Sequence, residues 1–145
     1  MTEMSVSRPF AALVDRLKAA GLRPTRQRLQ LLRVLAEGGH RHLTAEQLAS
    51  EAKAAGFGVA LATVYNTLNQ FTQAGLLREV VVEPGRSYFD TNLGDHHHFF
   101  DESANRLIDI PADQIAVAAL PAPPVGKRVA RVDVIVRVTD SDTSL

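Results

Sequence analysis

Cysteine is missing from this chain of 145 residues. Its absence excludes disulfides, zinc sites built from thiolates and cysteine nucleophiles. Long apolar runs are missing too, because none approaches the roughly 18–20 residues that span a membrane. The N-terminus lacks a basic segment followed by an apolar one, so no signal peptide is expected. Together these absences lead us to expect a cytoplasmic protein.

Net charge is also missing, because 16 Lys and Arg balance 16 Asp and Glu. The charges are unevenly divided along the chain: residues 1–83 carry 10 basic and 7 acidic side chains, whereas residues 84–145 carry 6 and 9. A basic front half and an acidic back half suggest two modules with different partners. The hydrophobic content of 46% is ordinary for a soluble globular protein, and the length allows one domain or two small ones.

Apolar residues at helical spacing predict four short helices in the first half. The predicted helices run from Pro9 to Gly21, from after Thr25 to Gly38, from Thr44 to near Gly56, and from Leu61 to Ala74. The spacing of Thr44 and Gln47 is typical of a capping box that opens the third helix. The residues of the fourth helix that are expected to face the core are Leu61, Val64, Leu68 and Phe71.

A β-hairpin is predicted after the helices, with strands at residues 76–83 and 86–90 around a Pro84-Gly85 turn. Helices followed by a hairpin predict a winged helix-turn-helix, in which the last helix before the wing enters the major groove of DNA. We therefore predict a DNA-binding domain over residues 1–90, with a wing at 76–90 that leads into a hinge.

The second half is predicted to be rich in strands. Strands are expected at 96–100, 106–110 and 129–138, with a turn at 101–105 and a helix at 112–120. These elements predict a small α/β dimerisation and metal-sensing domain over 91–140, and a disordered tail at 141–145. The overall class is then α+β. Because so thin a layer buries little by itself, we expect a homodimer.

The run His96-His97-His98 is the clearest candidate for chemistry. In a strand, His96 and His98 point to one face and His97 to the other, so the first two form a pair of potential metal ligands. Asp90 lies six residues earlier, Asp109 belongs to the next strand, and His42 belongs to the helical half. Nitrogen and carboxylate ligands suit Fe²⁺, Mn²⁺, Co²⁺ or Zn²⁺, and the general affinity order favours zinc over iron.

The fourth helix also presents candidates for DNA contact. If Val64 and Leu68 pack inward, small and amide side chains lie on the outer face, where they can reach thymine methyls and base edges. Arginines at the start of the second helix would lie where phosphate binds. The predicted DNA-binding residues are Arg26, Arg28, Ala62, Thr63, Tyr65, Asn66 and Gln70.

The segment from Ala60 to Leu68 reads Ala-Leu-Ala-Thr-Val-Tyr-Asn-Thr-Leu and resembles the recognition helix of the ferric uptake regulator (Fur) superfamily. The resemblance continues through Pro24-Thr-Arg-Gln-Arg28, through His42 before the start of the third helix, and through the histidine run. It covers roughly residues 10–138. It implies a winged-helix repressor or activator that binds operator DNA as a homodimer and responds to metal.

The resemblance also implies ligands. Its regulatory metal site corresponds here to His42, Asp90, His96, His98 and Asp109, and Asp95 and His97 stand where a second site or a haem ligand would begin. No histidine follows His98 to complete that second site.

Two departures from the family pattern are informative. Asn66 stands where most members have Arg, which makes the segment most similar to the iron response regulator (Irr) branch. Asp101 and Ala104 stand where many members have the cysteines of a structural zinc site, so that site is absent.

The leading hypothesis is a metal- or haem-responsive regulator of iron-homeostasis genes. An Fe²⁺- or Mn²⁺-dependent peroxide sensor of the same superfamily is the alternative, since three His and two Asp are the ligands of that branch. Two other classes are a small non-haem metalloenzyme and a DNA-binding module without an effector. The enzyme is disfavoured because no acid–base partner accompanies the ligands, so we expect no enzymatic activity.

Overall fold

The computed structural model describes the backbone of residues 2–141 and the side chains of residues 10–141. The chain divides into two compact units, with the boundary between Leu93 and Gly94. Of the predicted disordered tail, residues 142–145 lie outside the described residues. No helix in the described part of the chain has the length and hydropathy that a membrane crossing requires.

The first unit contains four helices and three strands. Their bounds are α1 Thr2–Ala19, α2 Arg26–Ala36, β1 His42–Leu43, α3 Ala45–Ala54, α4 Leu61–Gln73, β2 Arg78–Glu83 and β3 Arg86–Asp90. The strands form an antiparallel sheet in the order β1-β3-β2. The helices with a following hairpin give the predicted winged-helix arrangement.

Local sequence signals place the ends of the helices. Thr44 Oγ1 accepts a hydrogen bond from the Gln47 amide, and Gln47 Oε1 accepts one from the Thr44 amide, which confirms the predicted capping box. At the end of α4, Gly75 adopts a φ of 81°, and the Leu76 amide donates to the Phe71 carbonyl. This is a Schellman ending, which requires a left-handed residue and therefore favours glycine.

The core of the first unit lies where the apolar faces of the helices meet. Val64, Leu68 and Phe71 of α4 are fully buried, as predicted, together with leucines of the other helices. Leu61 was expected to face inward but is 42% exposed, because it is the first residue of α4 and precedes the buried stripe by one turn.

Two further differences concern the ends of the first unit's elements. The first helix begins at Thr2 and not at Pro9. Proline has a φ that suits a helix, so the helix can include Pro9, although the proline ring removes one backbone hydrogen bond and crowds the carbonyl four residues earlier. The two-residue strand β1 was not predicted, and it pairs His42 with Asp90 and Leu43 with Phe89.

The second unit is a three-stranded sheet in the order β5-β4-β6, with bounds β4 His96–Asp101, β5 Arg106–Pro111 and β6 Ile135–Val138. The predicted hairpin of β4 and β5 is confirmed, and β6 lies parallel to β4. Together with the helical first unit, this sheet confirms the α+β class.

Two predictions for the second unit are wrong. In place of a helix at 112–120, the structure has one 3₁₀ turn, Ala112–Gln114. A nine-residue segment with β-branched residues, followed by prolines, is too short to hold a helix without packing. In place of a strand at 129–138, only Ile135–Val138 pairs with β4. The Val134 carbonyl still accepts from the His98 amide, but the Val134 amide donates to the side-chain Nδ1 of His97, so the regular pairing begins after Val134.

One face of the second unit carries an exposed apolar row. Phe99 of β4 pairs with Ile108 of β5 on one side and with Val136 of β6 on the other. The three side chains are between 37% and 39% exposed. The opposite face of β4 is buried and carries His96, His98 and Phe100.

Candidate metal centre and DNA-binding surface

Three predicted metal ligands meet on one face of the second unit, where the two histidines are buried and the aspartate is exposed. Strand alternation places His96 and His98 on the same face of β4, with ring centroids 4.6 Å apart. Asp109 is the register partner of His98 on β5, so its carboxylate projects from the same face. Asp109 Oδ1 lies 3.3 Å from His98 Nε2 and 3.7 Å from His96 Nε2.

The protonation of His96 follows from its hydrogen bond. Its Nδ1 lies 2.7 Å from the Gly94 carbonyl oxygen, which can only accept, so Nδ1 carries the hydrogen. In the neutral ring the lone pair is then on Nε2, which faces the Asp109 carboxylate. In that neutral form the two acceptors repel, whereas a protonated ring would form an ion pair with Asp109 at this distance of 3.7 Å, which is too long for a hydrogen bond.

A cation between these atoms would remove the repulsion. An imidazole that donates its other N–H to a backbone carbonyl is also the usual arrangement of a metal-bound histidine, since that bond fixes the tautomer and the ring orientation. The potential ligand atoms of the cluster lie within 4.8 Å of one another. The residues present therefore fit a divalent metal, with two nitrogens and one carboxylate oxygen from this unit.

The other two predicted ligands lie side by side in the first unit. His42 on β1 and Asp90 on β3 are register partners. Asp90 is 1% exposed, and its Oδ1 accepts a hydrogen bond from the Asn92 amide at 2.9 Å. His42 is half-buried, with its ring edge-on to Tyr88. Strand β1, which sequence reasoning missed, is what brings this imidazole and this carboxylate together.

His97 and Asp95 do not belong to the three-ligand cluster. His97 points to the opposite face of β4, where its Nδ1 accepts the hydrogen bond from the Val134 amide at 3.0 Å. Because Nδ1 accepts, the neutral ring carries its hydrogen on Nε2. Binding of a metal or haem iron by His97 would therefore cost this bond or require loss of the Nε2 hydrogen. Asp95 is exposed.

The turn between β4 and β5 is held by a carboxylate. Asp101 Oδ1 accepts hydrogen bonds from the Ser103 and Ala104 amides, each at 3.0 Å. Asn105 completes the turn with a φ of 54°, a conformation that asparagine tolerates better than most residues. Asp101 and Ala104 are the two positions at which the family's structural zinc would have cysteines.

The outer face of α4 is accessible as predicted. Ala62, Asn66 and Gln70 are exposed, Tyr65 is 38% exposed, and Thr63 is half-buried. Ala60, the N-cap, provides no side-chain hydrogen bond to the first turn of the helix. Backbone N–H groups of that turn are thus left for other acceptors.

Tyr65 has a partner that sequence reasoning missed. Its hydroxyl donates a hydrogen bond of 2.7 Å to Glu46 Oε1 on α3. This bond raises the pKa of Tyr65 and lowers the pKa of Glu46. Acidic residues are common in the first turn of a helix because they favour the helix dipole, so Glu46 gave no signal of a second role.

Arg28 and Gln70 are tied to each other across α2 and α4. Arg28 Nε and Nη2 both donate to Gln70 Oε1, at 3.3 and 3.0 Å, and Nη1 donates to the Arg23 carbonyl at 2.8 Å. Arginine has only donors, so the amide oxygen of Gln70 must face it and the NH₂ group must face away. A glutamine that recognises adenine uses both its NH₂ group and its amide oxygen. While Arg28 binds the Gln70 oxygen, Gln70 can offer only its NH₂ donors to DNA. Arg26 is exposed.

Comparison with known proteins identifies relatives of this chain. A family model described as the ferric uptake regulator family matches residues 19–122. The ferric uptake regulation protein of Shigella flexneri is 39% identical over 100 residues, which are 68% of this chain and 68% of that protein. That of Bordetella parapertussis is 41% identical over 81 residues, which are 56% of this chain and 58% of that protein.

A solved structure agrees with these relatives. The ferric uptake regulator of Vibrio cholerae superimposes with a TM-score of 0.69 at 25% identity, over 88% of this chain and 98% of that one.

Proposed function

The chain belongs to the ferric uptake regulator family and is therefore a metal-responsive transcription regulator; from this premise we propose how its residues perform that task. It is not an enzyme, as the sequence predicts, so the metalloenzyme hypothesis is set aside. We propose that it regulates iron-homeostasis genes by binding operator DNA as a homodimer in the cytoplasm. Its effector in this proposal is a divalent metal bound by His and Asp side chains.

The observation that carries this proposal is the cluster of His96, His98 and Asp109, whose potential ligand atoms lie within 4.8 Å of one another. These three residues would hold the metal, which supplies positive charge and a fixed ligand geometry when bound. We propose that His42 and Asp90, adjacent in the DNA-binding unit, complete the ligand set. Ligands from both units would restrict their relative orientation, and with it the spacing of two recognition helices on successive turns of DNA.

The apolar row of Phe99, Ile108 and Val136 supports a homodimer. Three adjacent apolar side chains, each more than one-third exposed, are poorly placed in water. A second copy of the unit would cover them and would thicken a three-stranded layer that is otherwise marginal. We propose that this face contributes to the dimer.

Asn66 supports placement in the Irr branch. It is exposed on α4, directly after Tyr65, where most members have a cation. An amide in place of a guanidinium changes which base edges can be read. We therefore expect Asn66→Arg to shift the preferred operator. An unchanged preference would argue against the role of this position.

A divalent metal is favoured here over haem. Haem ligation by His97 would cost the hydrogen bond from Val134, whereas His96 and His98 already converge with a carboxylate. The Irr branch nevertheless makes haem the second effector to test. The peroxide-sensing alternative predicts oxidation of a ligand histidine. The absence of one added oxygen atom on His42 or His96, after peroxide treatment of the Fe²⁺-loaded protein, would exclude it.

The decisive experiment is a titration of operator affinity with Fe²⁺, Mn²⁺, Zn²⁺ and haem in parallel. The operator is first selected from randomised duplex DNA with the metal-loaded protein and, in parallel, with the metal-free protein. We expect at least one divalent metal to change the affinity of the intact chain. The double variant His96→Ala/His98→Ala should lose that response, and Arg26→Ala should weaken DNA binding without changing metal content. Equal affinity of the double variant and the original chain with and without metal would refute the proposal.

A further inference from the structure

Glu46 and Tyr65 form a joint surface at the start of the helix-turn-helix. Glu46 is the second residue of α3, and Tyr65 is the fifth residue of α4. Both side chains are exposed, and the 2.7 Å hydrogen bond between them links the two helices. A phenol has a single hydrogen, and that hydrogen is directed at the carboxylate.

A cleft surrounds the pair. It has a volume of about 310 Å³ and is lined by Thr44, Glu46, Tyr65, Gly85, Arg86 and Ser87. The start of α3, the recognition helix and the wing therefore border one depression of the first unit. Arg86 at the wing also lowers the pKa of Glu46, as the smallest of several contributions, and donates to Glu83 Oε1 at 3.3 Å. Glu46 is thus ionised at neutral pH.

The chemistry of the pair is that of acceptors alone. An ionised carboxylate has no hydrogen to donate, and the Tyr65 oxygen has only lone pairs left for a third group. Phosphate oxygens are acceptors and carry negative charge, so they are poor ligands for this surface. Groups that donate hydrogen bonds are good ones.

In the major groove only two groups donate, the N4 amine of cytosine and the N6 amine of adenine. Adenine places the acceptor N7 beside its amine, where it would face the second acceptor of the pair. Cytosine has no acceptor beside N4 on its groove edge. Glutamate accepting from cytosine N4 is also an established pairing in DNA recognition.

We propose that Glu46 and Tyr65 act as an acceptor pair that selects a cytosine in the operator, with Glu46 also fixing the position of the Tyr65 ring. This inference rests on the proposed function, since it requires operator DNA in contact with α4. It makes Glu46 a specificity residue in a helix that otherwise only supports the recognition helix.

The proposal predicts two opposite effects of Glu46→Gln on DNA binding: a weaker preference for one base and a stronger binding to unrelated DNA. Glu46→Gln keeps the shape and an oxygen for Tyr65, but it removes the charge and adds an NH₂ donor. It should reduce the preference for cytosine at one operator position by roughly tenfold, the scale of one good base contact. It should also strengthen binding to unrelated DNA, because a negative charge facing the phosphates is gone.

The test compares binding selections from randomised duplex DNA, made with the 145-residue chain in the metal state that binds DNA more tightly. The variants are Glu46→Gln, Tyr65→Phe and the control Glu79→Gln, which removes an exposed carboxylate from β2. The control should change affinity for all sequences alike and leave every base preference intact. Tyr65→Phe should weaken the same cytosine preference that Glu46→Gln removes.

Two results would overturn the inference while leaving the function intact. One is a Glu46→Gln selection identical to that of the original chain. The other is a preference for guanine or thymine, in the original chain, at the position that Glu46→Gln changes. Selection of no sequence by the original chain, either metal-free or with any of the metals, would instead refute the proposed function, and the inference with it.

Discussion

Asp109→Asn should abolish most of the metal response while changing the stability of the metal-free protein little. The asparagine has the same shape as the aspartate but lacks the charge that faces His96 Nε2 and His98 Nε2, at 3.7 and 3.3 Å. The Asp109 side chain is 51% exposed, so solvent screens its charge and the loss of that charge costs little without metal. We therefore expect the unfolding temperature of the metal-free variant to stay within about 2–4 °C of the original.

The size of the metal response follows from linkage. At Mn²⁺ about 100-fold above the Kd, binding stabilises the folded state by about 2.7 kcal/mol. For a chain of this size that is an increase of roughly 5–10 °C in Tm. Loss of groups that merely orient metal ligands already weakens binding by about 10- to 100-fold, so loss of a ligand should do at least as much. A 100-fold weaker Kd leaves only about 0.4 kcal/mol at the same Mn²⁺ concentration.

The assay is thermal unfolding with and without Mn²⁺, followed by circular dichroism. Asp113→Asn is the matched control, because it removes an exposed carboxylate of the same unit outside the cluster. The control should retain the full Mn²⁺ shift. If Asp109→Asn retains it too, the cluster does not bind the metal. If the metal-free variant is much less stable than the original, Asp109 has a structural role and the lost Mn²⁺ shift no longer identifies it as a ligand.

Three further outcomes can be measured directly. Glu46→Gln should lower the pKa of Tyr65 toward the ordinary value for tyrosine, measured by phenolate absorbance, and an unchanged pKa would argue against the hydrogen bond. Asp101→Ala should reduce the free energy of unfolding by about 1 kcal/mol, as for other lost side-chain caps, in chemical denaturation; Asp101→Asn, which keeps the acceptor, should lose less. Phe99→Ser should shift the protein toward monomer in sedimentation at micromolar concentration, whereas a dimer as stable as the original would place the interface elsewhere.

Much of the first unit is encoded locally, which is why the sequence predicts it well. The Thr44–Gln47 capping box and the glycine at position 75 set helix ends through contacts three to five residues away. The i, i+2 spacing of His96 and His98 predicts a shared face as soon as a strand is assumed. Such signals need no knowledge of tertiary structure.

The features that sequence reasoning missed depend on residues far apart in the chain. Glu46 and Tyr65 are 19 residues apart in the sequence, and Arg28 and Gln70 are 42 residues apart. No local sequence pattern therefore predicts either pair. Strand β1 has two residues and exists through its pairing with β3. The strand predicted at 129–138 is shortened by a side chain, His97, which takes the Val134 amide. Tertiary contacts overrule local propensity in each case.

In this protein the fold of the Asp101 turn does not depend on a bound metal. In a sensor whose turn is held by zinc, folding and metal sensing would both depend on bound metal. Where a thiolate-bound metal holds the turn, a chelator or an oxidant dismantles the fold while it empties the sensing site. Here two backbone amides are held by a carboxylate that neither reagent removes. Removing the metal should thus leave a folded molecule that can bind metal again, and any change in its DNA affinity after chelation would report the metal response and not unfolding.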